Sequence, residues 1–364
     1  MGCKEARQSY AKKWYKGNLH THSYWSDGDE FPEVIMEWYK KNDYQFIALS
    51  DHNILAEGDY WIEIPNDSIY QRAFKSYLEK YGTDWVDFKI DSLNNKIVKL
   101  TAYKDYKELF EEDETFLIIQ SEEITDHFDN KPIHMNATNI QKKIEPQSGT
   151  SVLNVINHPN FAYSISLEDM IALRNERFFE VYNGHPQVHN SGDSIHMSTE
   201  RMWDLINISY IKNNKPLMYG IASDDSHHYH RKASKWSNAG RGWIMVRADS
   251  LNPKALIEAM EQGDFYASTG VELKEVVFEN NMLNVEVMEE SDVTYNLSFI
   301  GCKEGNTEPE LLQSVIGNKA SFKLEDDILF IRCKITSSKL QDNPIEDILY
   351  ESAWTQPFMV AENK

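Results

Sequence analysis

The feature that most constrains this chain is a short apolar, β-prone run that recurs along it and ends each time on an acid or a histidine. The runs are QFIALSDH (45–52), TFLIIQSEE (115–123), SVLNVINHP (151–159), RFFEVYNGH (177–185) and PLMYGIASDDSHH (216–228). Near-continuous apolar strands suit a parallel sheet covered by helices, because such strands are buried on both faces. Helical patterns lie between them, in FPEVIMEWYKKND (31–43) and SLEDMIALRNE (166–176). In the second, Ser166 is the expected N-cap with Asp169 three residues on, close to a capping box. Strand and helix in alternation predict an α/β fold. In a (β/α) barrel the reactive side chains collect at the C-terminal ends of the strands, whereas ordinary core strands end in Gly, Asn, Ser or Pro turns. Carboxylates and imidazoles at the ends of all five runs therefore predict a shared site on one rim.

Two further stretches shape the expected organisation. Residues 53–114 are longer than a crossover helix needs and are rich in Tyr, Trp, Asp and Lys, with a helical stretch near YQRAFKSYLEKYG. They read either as a lid or wall beside the rim or as a peripheral decoration. The Trp and Tyr residues of 53–88 either stack on a nucleoside or fill the insertion's own core. After about residue 272, LKEVVFENNMLNVEVMEESDVTYNLSFIG and KASFKLEDDILFIRCKITS alternate between Asn, Asp and Gly turns, which predicts a small antiparallel β domain. SLNPKALIEAMEQGDFYASTG (250–270) reads as a closing helix and linker. The expected division is a tail over 1–16, a barrel over 17–272 with the insertion at about 53–114, and a β-sandwich-like domain over 273–364.

The chain carries 58 acidic against 37 basic residues in 364, a net charge of −21. Such a surface repels polyanions, so no nucleic acid is expected as partner. A small anionic substrate stays compatible, because bound metal ions reverse the field locally. The three cysteines, Cys3, Cys302 and Cys333, are too few for a disulfide framework. Cys302 and Cys333 read as small buried apolar side chains. No apolar run approaches the ~18 residues of a membrane span. The opening MGCKEARQSYAKKWYKG lacks a signal-type apolar segment and has Ala6 where myristoylation wants Ser or Thr. Cys3 reads either as the lipid anchor of a bacterial lipoprotein, periplasmic or at the surface, or as an incidental cysteine of a cytoplasmic protein.

His20 and His22 are two apart, so in an extended segment they face the same way and can chelate one ion. The pair gains weight from its company: Asp27 in SDGD, Asp51 and His52, Glu122 and Glu123, His134, His158, and Asp224, Asp225, His227 and His228 in SDDSHH. Imidazoles mixed with carboxylates suit Zn, Mn or Fe, and the absence of cysteine argues against a structural zinc site. So many donors exceed one ion's needs and predict two or three divalent metals.

With these motifs together, NLHTHSYWSDG, ALSDHN, SEEIT, HMNATNI, NHP, EVYNG and SDDSH, the chain resembles the PHP (polymerase and histidinol phosphatase) family of metal-dependent phosphoesterases, relatives of the amidohydrolases, over roughly 17–270. The resemblance implies a distorted seven-stranded, TIM-like (β/α) barrel. It implies that His20, His22, Asp225 and a bridging Glu123 bind a first metal. Glu123, His134 and His158 would hold a second, and Asp27, His52 and His227 a third. Within SEEI it selects Glu123 over Glu122, and within SDDSHH Asp225 and His227 over Asp224 and His228. Ser121 departs from the glycine common before the bridging glutamate, and the 53–114 insertion replaces a shorter connection. AMEQGDFYASTG and AWTQPFMV resemble a two-domain branch, some of whose members are assigned non-phosphate esters or carbamates.

Other polar residues carry paired readings. Asp51 is expected to orient His52 and thereby serve catalysis, rather than bind metal. Glu180 either contacts substrate, metal or water, or accepts from loop N–H groups. His185 or His227 can protonate a leaving group. Arg241 in GRGW is the best placed of Arg231, Lys232 and Arg241 to grip a phosphate oxygen, against the default of a surface ion pair. His127, His189, His196 and His230 read as solvated. The expected activity is hydrolysis of a small phosphoester by a metal-activated hydroxide at a di- or trinuclear centre. The alternatives are a carboxylic ester, amide or carbamate at the same centre, or a non-catalytic surface protein that binds a ligand.

Overall fold

A computed structural model describes residues 11–146, 153–345 and 348–360. Cys3 lies outside the described residues. In chain order the elements begin with β1 (Lys13–Asn18), α1 (Pro32–Lys41) and β2 (Phe46–Leu49). The insertion follows as β3 (Trp61–Glu63), α2 (Ser68–Tyr81), β4 (Phe88–Ile90), β5 (Lys96–Lys99) and α3 (Tyr103–Phe110). Next come β6 (Leu117–Phe128), β7 (Lys131–Thr138), β8 (Leu153–Ile156), α4 (Leu167–Ala172), β9 (Phe178–Asn183), α5 (Thr199–Lys212) and β10 (Tyr219–Ser223). The chain then runs through β11 (Trp243–Ala248), α6 (Pro253–Glu261), β12 (Phe265–Ser268), β13 (Leu273–Glu279), β14 (Met282–Val287) and β15 (Tyr295–Lys303). It finishes with β16 (Glu310–Ile316), β17 (Lys319–Lys323), β18 (Ile328–Ile345) and β19 (Ile348–Thr355).

The fold is α/β, built on one mixed sheet of 13 strands in the order β10-β9-β8-β7-β6-β2-β1-β11-β12-β19-β18-β15-β16. The first seven positions hold β10 back to β6, then β2 and β1, in sequential order apart from the insertion. Their regular ladder stays open, and its two sides are joined only beyond the ends of β1 and β10, by the parallel Thr21–Ser226 bridge. Among the described residues β10 pairs only with β9, and β1 pairs on its outer side with β11, which leads on to the C-terminal strands. The junction near residue 272 is therefore hydrogen-bonded sheet, through Tyr266–Thr355 and Ala267–Trp354, and not a bare linker.

The strands are also less uniformly parallel than the apolar runs suggested. β1, β2 and β6 are parallel, as are β8, β9 and β10, but β7 runs antiparallel to both its neighbours. The cause is local. β6 continues past Glu123 to Phe128, then reverses through Asp129 and Asn130, whose φ values are 50° and 62°. A two-residue loop with both φ positive is the type I′ hairpin geometry, and Asp and Asn tolerate it.

Ser166 caps α4 as expected, with the Ser166 and Asp169 side chains exchanging hydrogen bonds with each other's backbone. In the insertion, Phe74, Tyr77, Val86, Val98 and Tyr106 pack against Phe31, Ile35 and Tyr39 from the chain around α1. The insertion's aromatic residues thus mostly fill core. Cys302 and Cys333 are free and fully buried in β15 and β18. No helix among the described residues is long and apolar enough to cross a membrane.

The C-terminal strands dock on α5 through charge. Glu200 accepts from Lys334 Nζ (2.8 Å) and Trp354 Nε1 (2.7 Å), and lies 3.3 Å from Arg332. Burial alone would raise its carboxyl, but Arg332 and Lys334 outweigh burial and hold it down at about 2. A depressed folded pKa stabilises above the unfolded value and is lost as pH falls toward the folded one. Glu200→Gln is therefore expected to lower the melting temperature at pH 7. The difference from wild type should shrink between about pH 4.5 and pH 2 in a thermal-melt series.

Candidate metal centre

The ends of the strands deliver the donors. After β1 the chain stays extended, so His20 and His22 face inward while Thr21 between them bridges to Ser226. Gly28 lets the SDGD loop lie against His22, since a Cβ there would sit 2.6 Å from the His22 carbonyl oxygen. His52 and Glu123 form a parallel bridge that joins the rims of β2 and β6. His134 comes from β7, His158 follows β8, and Asp225 and His227 follow β10. His158 and Asp225 have positive φ, 24° and 47°. Such backbone in non-glycine residues costs on the order of 1–3 kcal/mol and persists where surroundings hold it. Here Glu180 accepts from His158 N (2.7 Å), and Asp225 N donates to the His20 carbonyl (3.0 Å).

All nine residues expected as metal ligands are brought together, in four overlapping groups whose donor atoms lie within 4.8 Å of one another. One group is His20, His22 and Glu123, and another is His20, His158 and Asp225. A third is His52, Glu123 and His134, and the fourth is His22, Asp27, His52 and His227. Glu123 sits between the groups. Its Oε1 is 3.4 Å from His20 Nε2, 3.2 Å from His134 Nδ1 and 3.4 Å from His158 Nε2, while Oε2 is 3.4 Å from His22 Nε2. Asp225 Oδ1 is 3.3 Å from both His20 Nε2 and His22 Nε2. His158 keeps the contact with Glu123 that the resemblance implied and also groups with His20 and Asp225, while His22 reaches the outer group as well.

Divalent cations fit this arrangement on its own evidence. His20 Nε2, His22 Nε2, Glu123 Oε2 and His134 Nδ1 are buried without a hydrogen-bond partner, and all belong to these groups. Buried polar atoms are nearly always satisfied, so orphans converging on one place mark a missing partner. The opposite ring nitrogens are fixed. His20 Nδ1 pairs with Glu180 Oε1 (2.7 Å), and His227 Nδ1 with the Asp225 carbonyl (3.0 Å). Each of these bonds leaves an Nε2 lone pair facing the centre.

Charge is arranged to keep the donors ready. Burial alone would raise the carboxyls of Glu123 and Asp225, but the surrounding imidazoles, His20 foremost, hold both well below the usual range. Burial, with cationic His227 and His52 nearby, pushes His22 down to about 3 and keeps it neutral. His227 rises to about 9, where Asp27 and Asp225 overcome the effect of burial. Cation binding therefore displaces protons from part of the cluster. Asp27 is the most exposed of the nine, with its side chain 57% exposed.

The remaining expected residues divide. Asp51 does not orient His52: its carboxylate accepts from Ser23 N, Ser23 Oγ and Ser26 Oγ, and so shapes the loop beyond His22. Thr125 Oγ1 holds His52 instead, 2.6 Å from Nδ1. Glu180 is fully buried and accepts from His20, His158 N, Asn183 and Ser223, which leaves it as a brace for ligands and not a group facing substrate. Arg241 is 1% exposed, and its guanidinium donates to the carbonyls of Gly184, Asn343 and Ala233. This uses its fork inside the protein and excludes the expected phosphate grip. Glu122 points away from the centre and accepts from Ile144 N, because neighbours in a strand face opposite sides. Asp224 likewise faces Asn18, Tyr39 and the N–H groups of Arg241 and Gly242.

A cavity of about 340 Å³ opens over the cluster, lined by its mouth ligands together with Phe161, His185, Gln187 and His228. No residue of 53–114 lines it. A larger cavity of about 440 Å³ lies between α5 and the C-terminal strands, but its charged lining is ion-paired and, among the described residues, gathers no ligand group. Sequence reasoning missed the asparagines. Asn157 Nδ2 donates to Glu123 Oε1 (2.7 Å), and Asn183 Nδ2 to both Asp225 Oδ2 (3.0 Å) and Glu180 Oε2 (2.8 Å). They stand inside NHP and EVYNG, but an amide carries no ligand signature that spacing can reveal.

No protein-family model and no curated protein matches the chain. Among solved structures it is similar to a two-domain protein from Bacteroides vulgatus containing a predicted PHP-like metal-dependent phosphoesterase. The identity is 13%, over 96% of this chain and 98% of that one, with a TM-score of 0.41. A protein from Bifidobacterium adolescentis, provisionally described as a metal-dependent phosphoesterase, is similar at 10% identity, over 59% of this chain and 88% of that one, with a TM-score of 0.34.

Proposed function

We propose that this protein is a metal-dependent hydrolase of small phosphoesters, with two or three divalent ions (Zn, Mn or Fe) held by His20, His22, Asp27, His52, Glu123, His134, His158, Asp225 and His227. The observation that carries the reading is the convergence of these nine donors with several inward atoms left unpartnered. The seven strands from β1 to β10 in sheet order would be the wall of a distorted barrel, with the cluster on its C-terminal rim. Bound divalent ions supply Lewis acidity and lower the pKa of water.

The chain's own residues do the rest. Glu180, Asn157 and Asn183 fix the ligands. His185 is the group left to donate a hydrogen bond to a leaving oxygen, which takes its proton from water. Gln187 N donates to its Nδ1 (3.2 Å), so the neutral ring carries its proton on Nε2. Burial and the cationic His227 and His158 push it down to about 4 against the pull of Asp225, which keeps that neutral form at pH 7. His227 suits the ligand role better, since Nδ1 is used by a carbonyl and Nε2 faces Asp27 at 3.3 Å.

The absence of Lys and Arg from the described cavity lining also favours a second reading, a carboxylic ester, amide or carbamate at the same centre. Elemental analysis combined with a panel of aryl phosphates, phosphodiesters, carboxyl esters and carbamates separates them. At least one metal per chain and turnover of a phosphate are expected; less metal with no phosphate turnover would sink the proposal. His52→Ala should lower turnover at least about 100-fold while the melting profile of the metal-free protein is retained. Unchanged rates would remove His52 from the centre.

A further inference from the structure

The walls of the small cavity above the metal groups carry information about the substrate beyond its scissile bond. Phe161 is the one carbon-rich side chain among the lining residues. Its ring lies 5.3 Å from that of His158, 6.2 Å from that of His134 and 6.3 Å from that of His185, so it adjoins the ligands directly. Its position is built in. Phe161 N donates to the His158 carbonyl (2.8 Å), and Phe161 bridges Val188 on the loop that carries His185 and Gln187. Asn160 Nδ2 ties the same two loops together through the carbonyls of His189 (2.8 Å) and Met197 (3.0 Å).

The rest of the lining is imidazole, carboxylate and the amide of Gln187, with no Lys or Arg among the described residues. Arg241 is locked on carbonyls, and Arg231 is turned to Asp67 (3.6 Å) and to the ring of Trp236. A second anionic group on the substrate would meet Asp27, Glu123 and Asp225 inside a chain of net charge −21. Bound cations can serve the reacting group but not a charge held against the opposite wall.

Resting on the hydrolase reading above, we infer that the cavity takes a substrate whose organic arm is planar and uncharged, seated against Phe161 with Gln187 at its polar edge. The class is an aryl or heteroaryl ester without a second phosphate or carboxylate. An aromatic ring packed on an aromatic side chain favours binding without demanding a particular polar pattern. Phe161 is then the residue that sets specificity.

The test is calorimetric binding to the manganese-loaded protein of phenylphosphonate, methylphosphonate and 4-carboxyphenylphosphonate, alongside kcat/KM for phenyl and propyl phosphate. Phe161→Ala should weaken phenylphosphonate about tenfold and leave methylphosphonate unchanged, while Phe161→Tyr keeps the wild-type affinity. The carboxylated ligand should bind wild type at least about tenfold more weakly than phenylphosphonate. Equal affinity for phenyl and methyl ligands, an unchanged Phe161→Ala, or tighter binding of the carboxylated ring would overturn the assignment. The two readings fail separately. Binding in the expected order with no phosphate hydrolysed upholds the arm and removes the phosphoesterase. Hydrolysis indifferent to Phe161 does the reverse.

Discussion

Glu123→Ala is expected to empty the centre. Its carboxylate stands within 3.4 Å of nitrogens from His20, His22, His52, His134 and His158, a contact set that no other residue of the cluster has. Removing it takes away a shared donor and leaves the buried imidazoles with only Asp225 and Glu180 as buried counter-charges. Metal content should fall below half the wild-type value, and kcat/KM on any substrate the panel identifies by about 10³-fold. Metal-loaded wild type should melt higher than its chelator-treated form, because a ligand that binds only the folded state stabilises it. In Glu123→Ala that gap should close. Glu122→Ala is the matched control, since its side chain points to the opposite face and accepts from Ile144 N. A Glu123→Ala protein with full metal content would contradict the whole assembly of the site.

The largest stability effect is expected at Asp204, far from the cluster. Asp204 receives both Nε (2.6 Å) and Nη2 (2.7 Å) of Arg332, and both residues are buried. The pair joins α5 to β18, across the line where the C-terminal strands meet the rest of the chain. Breaking a buried pair from one side strands the other charge, which typically costs 3–5 kcal/mol by order of magnitude. Glu200 stays 3.3 Å from Arg332 and keeps Asp204→Ala near the lower end, about 3 kcal/mol. For a chain of 364 residues, the loss corresponds to a fall in melting temperature of roughly 4 °C. Replacing both partners, Asp204→Leu with Arg332→Met, should recover most of it, because no buried charge is then left alone. A double variant as unstable as the single one would show that packing, not charge, sets the cost.

The parts legible beforehand were those that a side chain's chemistry and spacing announce. His20 and His22 share a face because two residues of extended chain always do. Glu123 and Asp225 could be separated from Glu122 and Asp224 by position within a motif, and the alternation of a strand accounts for the first of these choices. The β6–β7 hairpin was not anticipated, although Asp129 and Asn130 are apt for its turn. The apolar run seemed to stop at the acids, and only pairing with β7 carries the strand on to Phe128. Asp51 and Arg241 were misplaced for a common reason. Each has a polar head with several near partners, and sequence adjacency does not say which one wins. Asp51 took the Ser23–Ser26 loop over its chain neighbour His52, and Arg241 took backbone carbonyls over the cavity.

By itself the sequence determined an α/β alternation, a late antiparallel region and a set of donors too large for one ion, because periodicity and donor type are local properties. The tertiary structure alone decided that the sheet runs on from β12 into β19, since strand pairing depends on which edges meet. It also decided that Thr125, Asn157, Asn183 and Glu180 orient the candidate ligands, and that Phe161 and not a cation walls the cavity. Those roles follow from contacts between residues far apart in the chain, and such contacts exist only once the strands have brought their ends to one rim.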